Sequence, residues 1–149
     1  MDEIDELEEG RTPTRSLSDA DCWERLAAAP FGRIATAAGG EVDIFPVNHV
    51  VDPSGPSGPV IVFRTSAGTK LLELTIRARV AFEIDGFSDT SAFSVVVKGH
   101  AEELDHERDV EAAEQLGITP WAPETKDRWV RIVPTEVRGR EFDRAPTGA

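Results

Sequence analysis

The hydrophobic pattern of this chain is helical before Gly32 and mainly strand-like after it. Ser18 and Asp21 open a segment whose apolar positions recur at helical spacing up to Pro30. Beyond Gly32, short apolar runs and alternating positions dominate, which is typical of β-strands. These runs predict strands over 32–37, 42–51, 60–64, 79–85, 94–104 and 128–133, the last extended over 136–142. Two further helices are predicted over 70–77 and 105–116.

The order of these elements favours an antiparallel barrel. The strands follow one another without a helix between each pair, so a doubly wound parallel sheet is not expected. Gly39-Gly40 separates two of the runs and is typical of a tight hairpin turn. Pro46 has no N–H to donate to a ladder, which predicts an edge position or a bulge. The sequence therefore predicts a mainly β fold of about six antiparallel strands with a few short helices.

The composition of the chain limits the kinds of molecule that the protein is expected to bind. The formal net charge is −12, which argues against nucleic-acid and anionic-membrane binding, because both need a basic face. Cys22 is the only cysteine, so no internal disulfide can form and a cytoplasmic location is expected. No apolar run approaches the ~18 residues of a membrane span. Residues 1–16 hold six acidic residues and few apolar ones, which predicts a flexible tail.

The segment from Arg64 to Lys70 carries the strongest candidate chemistry. An apolar strand ends at Arg64 and Thr65, and after a glycine-containing turn Thr69 and Lys70 open a helix. That order places two cations, several hydroxyls and the free N–H groups of a helix start around one point. Lysine at a helix N-terminus opposes the helix dipole unless an anion lies nearby. The segment therefore predicts a binding site for a phosphate-bearing ligand.

No catalytic set and no metal site stand out in the sequence. The histidines, His49, His100 and His106, lack the spacing of a zinc protease, and one cysteine is too few for a zinc site. Neither a dinucleotide-binding glycine fingerprint nor a P-loop is present. His49 lies in a strand that should run near Arg64, so it is a candidate ligand contact. The other two histidines are expected to be structural or solvated.

Six segments carry a family resemblance. In chain order they read FGRIAT, PVNHVVD, FRTSAGTKL, RVAFEID, FSVVVKGHAEEL and DRWVRIVPTEVRGREF. A helix precedes the first segment, and the Gly39-Gly40 hairpin follows it. In this order the features resemble the pyridoxamine 5′-phosphate oxidase-like flavin-binding split-barrel family over about residues 17–142. Within that family the chain is most similar to small proteins grouped with nitroimidazole-resistance-type proteins. Residues 1–16 and 143–149 fall outside the resemblance and are expected to be tails.

The resemblance implies a fold, an assembly and a cofactor. The family's six-stranded Greek-key split barrel forms a homodimer, and FMN lies in a groove between the two subunits. Carried over by position, the residues that would hold the flavin phosphate are Arg64, Thr65, Thr69 and Lys70. Those that would lie beside the ring and ribityl chain, largely through backbone atoms, are Pro46, Val47, Asn48 and His49. Phe93 and Ser94 would approach the flavin of the neighbouring subunit.

The function implied by the resemblance is that of an FMN-binding oxidoreductase with an unidentified substrate. The cofactor would carry the redox chemistry, so no side chain is assigned a catalytic role. True pyridoxamine 5′-phosphate oxidase activity is not expected, because the substrate-handling residues of that enzyme have no match in this shorter C-terminal region. Two alternatives stay open. One is a cofactor-free binding protein without enzymatic activity, and the other is a deazaflavin-dependent reductase using cations such as Arg33, Arg77, Arg79 and Lys98.

Overall fold

The computed structural model describes residues 13–76, 78–122 and 126–145. Within these ranges the chain forms seven strands and three helices. The strands are β1 (Thr14–Leu17), β2 (Phe31–Ala38), β3 (Glu41–Asp52), β4 (Val60–Thr65), β5 (Arg79–Phe87), β6 (Ser91–Glu103) and β7 (Arg128–Asp143). The helices are α1 (Asp19–Ala28), α2 (Lys70–Thr75) and α3 (Glu107–Glu114). The fold is mainly β, as predicted, and its strand pairs are antiparallel.

Six of the strands close into a ring. Hydrogen-bonded neighbours follow the order β7-β4-β3-β2-β5-β6, and β6 pairs back onto β7. This closed antiparallel arrangement confirms the predicted split barrel. Side chains from the ring strands and α1 form its apolar core, and the largest fully buried ones are Phe63, Phe82, Leu26, Ile34 and Ile61.

The short strand β1 is not predicted by the sequence. It begins within the predicted tail, yet it pairs with residues 139–142 of β7. Its burial alternates between exposed and half-buried, and four residues are too few to show that period within a polar segment. Backbone pairing with a distant strand, and not local pattern, defines this element. The first part of the predicted tail, residues 1–12, lies outside the described residues.

Helix α1 packs closely on the barrel. Ser18 Oγ accepts a hydrogen bond from Asp21 N at 3.1 Å, which confirms the predicted N-cap. Cys22 and Leu26 are four residues apart, so they share one face of the helix, and both are fully buried. A Cβ built on Gly139 of β7 would lie 2.7 Å from Cys22 Sγ. Glycine at position 139 therefore permits the close approach of helix and strand.

The β2–β3 hairpin leaves part of β3 unpaired on one side. It turns at Gly39 and Gly40, whose φ angles of 58° and 84° favour glycine. Pro46 pairs with Arg33 of β2, whereas β4 pairs with β3 only from His49 onward. Pro46 thus occupies an edge position toward β4, as predicted. The β3 backbone before His49 is open on that side.

Strand β7 runs without interruption through Pro134. The register between β6 and β7 shifts between Lys98 and Gly99, and the extra residue, Thr135, is accommodated as a bulge. Gly99 pairs with Pro134, and a Cβ on Gly99 would collide with Val133 O. The bulge and the absent side chain of Gly99 together allow a proline within a paired strand.

Candidate functional site

The turn from Arg64 to Lys70 forms as predicted, but its threonine hydroxyls are engaged within it. Thr69 is the N-cap of α2, and its Oγ1 accepts a hydrogen bond from Leu72 N at 3.1 Å. The same Oγ1 donates to Ser66 O at 2.9 Å. Thr65 is buried, and its Oγ1 lies 3.0 Å from Thr69 Oγ1. The two hydroxyls therefore hold the turn in shape.

Arg64 is fixed by the strand beside it. Its guanidinium carbon lies 4.6 Å from the centre of the Trp129 ring, and its Nη2 donates a hydrogen bond to Lys126 O. Arg64 Nε is buried and has no hydrogen-bond partner among the described residues. Such a donor is uncommon, because it has lost its water without compensation. Arg64 therefore keeps one unsatisfied donor in the turn.

Lys70 is the more exposed cation of the turn. Its side chain is 60% exposed, and its Nζ lies 3.6 Å from Asp43 Oδ2 in the β2–β3 hairpin. An exposed ion pair of this kind contributes little to stability, so the lysine can change partner at low cost. The structure thus brings together the four residues predicted for phosphate binding, with Arg64 and Lys70 at the two ends of the turn.

An open cleft of about 240 Å³ lies beside β3 and is named here the Asn48 cleft. It contains three residues predicted to lie beside a ring system, Pro46, Val47 and Asn48. The Asn48 side chain joins two other segments to β3 by hydrogen bonds. Its Oδ1 accepts from Trp121 N at 2.9 Å, and its Nδ2 donates to Pro30 O at 3.2 Å. The remaining wall is formed mainly by Phe31, Trp121 and Lys126.

The aromatic wall of the Asn48 cleft was missed by sequence reasoning. The rings of Phe31 and Trp121 are 5.0 Å apart between centres and inclined at 54°, and Trp121 is 63% exposed. Phe31 is the first residue of a strand motif, and Trp121 and Lys126 lie in an irregular segment whose path no local pattern predicts. A tryptophan in a proline-containing, irregular segment is the signal that could have indicated this wall.

His49 does not extend its side chain into the cleft. Successive side chains of β3 face opposite sides, so Asn48 faces the cleft and His49 faces the core. His49 is 4% exposed, its Nε2 lies 2.8 Å from Leu26 O, and its ring packs edge-on against Phe82. Burial lowers the pKa of His49 below its usual value, so the ring is held neutral. The His49 side chain therefore packs in the core, and a contact of its backbone with a ligand stays a prediction.

Phe93 and Ser94 lie across the ring from the cleft. Strands β6 and β7 are separated from β2 and β3 by β4 on one side and by β5 on the other. The Arg25 guanidinium carbon lies 4.4 Å from the centre of the Phe93 ring. Ser94 lines a groove of about 530 Å³ between β1, β6 and β7. Their approach to a neighbouring subunit's flavin stays a prediction.

That groove is named here the arginine groove. Its lining includes Ser16, Ser94, Val96, Arg138, Arg140 and Phe142. Val95, Val97 and Gly139, which alternate with these residues along β6 and β7, face the barrel interior or α1. The groove is therefore an outer surface of the barrel wall.

A charged cluster borders the Asn48 cleft. Arg33 Nη1 lies 3.1 Å from Glu83 Oε1 and 3.2 Å from Asp85 Oδ2, and the Arg33 guanidinium carbon lies 5.8 Å from the Phe31 ring centre. Burial, together with the hydrogen bond and like charge of Asp85, raises the pKa of Glu83 to about 7 against the opposing effect of Arg33. Arg33 is therefore engaged by two carboxylates.

The described ranges hold no group of three or more His, Cys, Asp or Glu side chains that could bind a metal ion. None of their helices combines the length and the apolar character needed to cross a bilayer. Burial raises the pKa of the Cys22 thiol, and Asp19 and Asp21 add to that effect. Cys22 is therefore protonated and unreactive within the core.

Comparison with known proteins assigns the barrel to a family. The family model described as pyridoxamine 5′-phosphate oxidase matches residues 18–141, and the chain belongs to this family of flavin-binding split barrels. The structure is similar to that of the FAD binding protein from Mycobacterium smegmatis, at 34% identity and a TM-score of 0.76, covering 87% of this chain and 98% of that chain.

Two further relatives extend the comparison. A conserved protein of unknown function from Corynebacterium diphtheriae is 36% identical with a TM-score of 0.76, covering 88% of this chain and 99% of that chain. An uncharacterised protein of Mycobacterium tuberculosis is 36% identical over 89 residues, which are 60% of this chain and 81% of that protein. The match to the family model over residues 18–141 confirms the family resemblance of the sequence motifs.

Proposed function

We propose that this protein binds a flavin in the Asn48 cleft and uses it as a homodimeric oxidoreductase. The observation that carries the proposal is the cleft of about 240 Å³, walled by Phe31 and Trp121. The β3 backbone before His49 is not paired with β4, so it can offer N–H and C=O groups to a ring system. Aromatic walls beside free backbone groups suit a flat heteroaromatic ring.

The adjoining turn supplies groups that fit a flavin phosphate. Arg64 links the turn to the cleft through its hydrogen bond to Lys126 O, and its buried Nε lacks a partner among the described residues. Lys70 and Lys126 add two further cations. In a protein of net charge −12, this local concentration of positive charge favours an anionic group. Arg64, Lys70 and Lys126 are the residues that would hold the phosphate.

The chain's own groups would position the flavin and shield it from water. A bound flavin supplies electron and hydride transfer, which no side chain of this protein supplies. Asn48 anchors Trp121, and Phe31 packs against the same tryptophan, so the wall of the cleft is braced from two sides. His49 lies on the core side of β3, where its bond to Leu26 O steadies the strand. No catalytic acid or base is assigned.

FMN is the flavin that we propose, because the turn presents one cluster of cations for one phosphate. FAD is the second candidate, since the similar protein from Mycobacterium smegmatis is named as an FAD binding protein. A deazaflavin would need additional cations in the cleft. Arg33 is paired with Glu83 and Asp85, and Lys98 Nζ lies 3.9 Å from Glu136, which weighs against that cofactor.

The absorbance spectrum of the purified full-length chain tests the proposal directly. We expect flavin absorbance, or a colourless protein whose melting temperature rises on adding FMN, because a ligand that binds the folded state stabilises it. Parallel titrations with FMN, FAD and a deazaflavin identify the preferred cofactor. A protein that is colourless and is stabilised by none of the three would support the cofactor-free alternative and overturn the proposal.

A pair of aromatic variants locates the flavin. Trp121→Ala removes the exposed wall of the cleft, and we expect flavin affinity to fall roughly tenfold, the equivalent of about 1.4 kcal/mol. Phe87→Ala removes an exposed ring outside the cleft and is the matched control, with affinity unchanged. Equal losses in the two variants would place the flavin elsewhere. Analytical ultracentrifugation checks the assembly, and a flavin-loaded monomer would contradict the homodimer.

A further inference from the structure

His49 is buried on the core side of β3, yet the segment that its ring holds leads directly to the wall of the Asn48 cleft. We propose, on the basis of the flavin site proposed above, that His49 is a proton-sensitive positioning residue for that site. The neutral ring fixes the segment from Leu26 to Phe31. Protonation of the ring releases this segment and weakens flavin binding.

The Leu26 carbonyl depends on His49 because its helical donor is missing. In an α-helix the C=O of residue 26 would accept from the N–H of residue 30, but Pro30 has no N–H. Leu26 lies in the last turn of α1 and is fully buried, so water does not readily replace that donor. His49 Nε2 lies 2.8 Å from Leu26 O and supplies it. The bond therefore ties the C-terminal end of α1 to β3.

The same bond determines where a second proton on the His49 ring would have to go. A carbonyl oxygen only accepts, so Nε2 carries the hydrogen and Nδ1 keeps a lone pair. Nδ1 is buried and has no hydrogen-bond partner among the described residues. The Phe82 ring packs edge-on at 4.8 Å between centres. Protonation at Nδ1 therefore places an unsatisfied donor and a charge in apolar surroundings, and this cost is relieved when the ring leaves its position.

Among the described residues, no charge faces the His49 ring. The titratable group that shares its core is the Cys22 thiol of α1, which burial keeps protonated by raising its pKa. Asp43 of β3 lies six residues away, about 20 Å along the strand, and is paired with Lys70. The charged residues next to its packing partners lie on the outer side of the barrel: Arg25 of α1, Arg33 of β2, Arg64 of β4 and Glu83 of β5. Burial alone thus accounts for the lowered pKa of His49.

The segment that His49 holds carries one wall of the cleft. Pro30 O accepts from His49 N at 3.4 Å and from Asn48 Nδ2 at 3.2 Å, so β3 binds this carbonyl twice. Phe31 follows directly, pairs with Asn48 in the β2–β3 ladder, and packs its ring against Trp121. Loss of the bond from the His49 ring therefore frees one end of the segment and loosens this wall. Flavin binds the held form, so any released fraction lowers the apparent affinity.

Acidification should shift the protein toward the released form. The held ring resists a proton, whereas a released and solvated ring has the ordinary pKa of about 6.5. The ratio of released to held protein is therefore constant at neutral pH and rises as the pH falls below about 6.5. At pH 5 the ratio has risen by up to about thirtyfold, which is the upper limit on the loss of flavin affinity.

The flavin-free wild type tests the release directly by NMR. We expect the ring nitrogens of His49 to show the neutral form, with hydrogen on Nε2, at pH 7.5. Between pH 7.5 and pH 5 the hydrogen-exchange protection of the Ala29 and His49 amides, which bond within the held segment, should fall. Protection of Val97, in a strand paired on both sides, should persist. Unchanged protection of Ala29 and His49, or loss only together with Val97, would overturn the proposal.

Flavin titrations at pH 7.5 and pH 5 separate His49 from other titrating groups. A flavin phosphate itself ionises near pH 6, so the wild type is compared with His49→Gln, which keeps a donor for Leu26 O but cannot be protonated. We expect wild-type affinity to fall at least about threefold more than that of His49→Gln. The matched control His106→Gln, at an exposed histidine, should behave as the wild type does. His49→Ala, which lacks the donor, should bind roughly tenfold more weakly at pH 7.5.

The two measurements distinguish failure of this proposal from failure of the flavin site. Equal falls in the wild type and His49→Gln, or a His49→Ala protein with wild-type affinity, would show that His49 does not position the flavin. A protein that binds no flavin at either pH would overturn the proposed function, and the amide protection would still decide whether acid releases the wall. The NMR measurement needs no variant, so it decides the question even where a substitution prevents folding.

Discussion

The Asn48 cleft and the arginine groove lie on different sides of one barrel and are held in place by different means. The groove has β7 as its floor, with β6 along one edge and β1 along the other. The cleft is lined by β3 and by Phe31 of β2, and its opposite wall is Trp121, which a hydrogen bond from its backbone N–H to Asn48 holds beside β3. The shape of the groove therefore depends on the barrel core, and that of the cleft on a few polar bonds.

This difference has a physical consequence for ligand binding. A surface built on paired strands is rigid, because opening it breaks the ladder bonds that close the ring. A wall carried by an irregular segment can shift to admit a large ring and then pack against it. Substitutions in the groove should therefore lower the free energy of unfolding. Substitutions in the cleft should lower the affinity for flavin.

Gly139→Ala should have the largest effect, since Gly139 lies on β7, the floor of the groove. The added Cβ would lie 2.7 Å from Cys22 Sγ and 3.1 Å from Leu17 Cδ1, so α1 or β1 must shift. We expect the free energy of unfolding in urea to fall by about 2–3 kcal/mol. Adding Cys22→Ala should recover part of that loss by vacating the space of the sulfur. Strict additivity of the two substitutions would contradict the contact.

Arg64→Ala should be the next most damaging change, because Arg64 joins the turn to the cleft. It removes the stacking on Trp129 and the hydrogen bond to Lys126 O, and we expect a loss of about 1–2 kcal/mol in urea unfolding. Lys70→Ala is the matched control, because its exposed pair with Asp43 should be worth less than about 0.5 kcal/mol. Similar losses at both positions would show that Arg64 is not anchored.

Substitution of Asn48 should change affinity more than stability. Asn48→Ala removes both bonds that hold the cleft together, and we expect flavin to bind roughly tenfold more weakly, as fluorescence quenching would measure. Asn48→Asp keeps the oxygen that accepts from Trp121 N but loses the donor to Pro30 O, so its affinity should be intermediate. An Asn48→Ala protein with undiminished affinity would remove Asn48 from the site.

The smallest effects should appear in the pH dependence of stability. The lowered pKa of His49 means that, below pH about 6.5, the unfolded chain binds a proton that the folded chain resists. Stability from His49 is therefore lost on acidification. Glu83 acts oppositely, because its folded pKa of about 7 exceeds its ordinary value of 4.5, so its contribution is lost as pH rises through 7.

Urea unfolding between pH 5 and 8 separates these two contributions. The stability difference between the wild type and His49→Gln should shift against the wild type as pH falls. The difference between the wild type and Glu83→Gln should shift in favour of the wild type over the same range. Profiles that stay parallel for either pair would show that the substituted group does not titrate differently in the two states.

Much of the barrel can be predicted because its signals are local. Ser18 caps α1 through its own side chain, and Gly39 and Gly40 supply the turn conformation wherever they occur. The pairing of β6 with β7 could be predicted only from the family motifs, since no local pattern specifies a partner strand. Strand β1 could be predicted neither from local pattern nor from the motifs. It is short, and its contacts, such as Arg15 with Asp143, span 128 positions.

The candidate site was predictable only in part, for a similar reason. Pro46 and Asn48 were located by their motif, but Trp121 joins them only because an irregular segment docks against β3. The inward direction of the His49 side chain could have been predicted from the phase of the strand. Val47 is apolar and faces inward, and a residue two positions later on a strand must face the same way.

The pairing of β1 with the far end of β7 imposes an order on events during synthesis. Residues 14–17 leave the ribosome long before their partners at 139–142 and stay without them for most of translation. The elements around the core can assemble earlier, through contacts closer along the chain. A product truncated before Gly139 would lack the floor of the arginine groove, so a growing chain completes this cationic surface last.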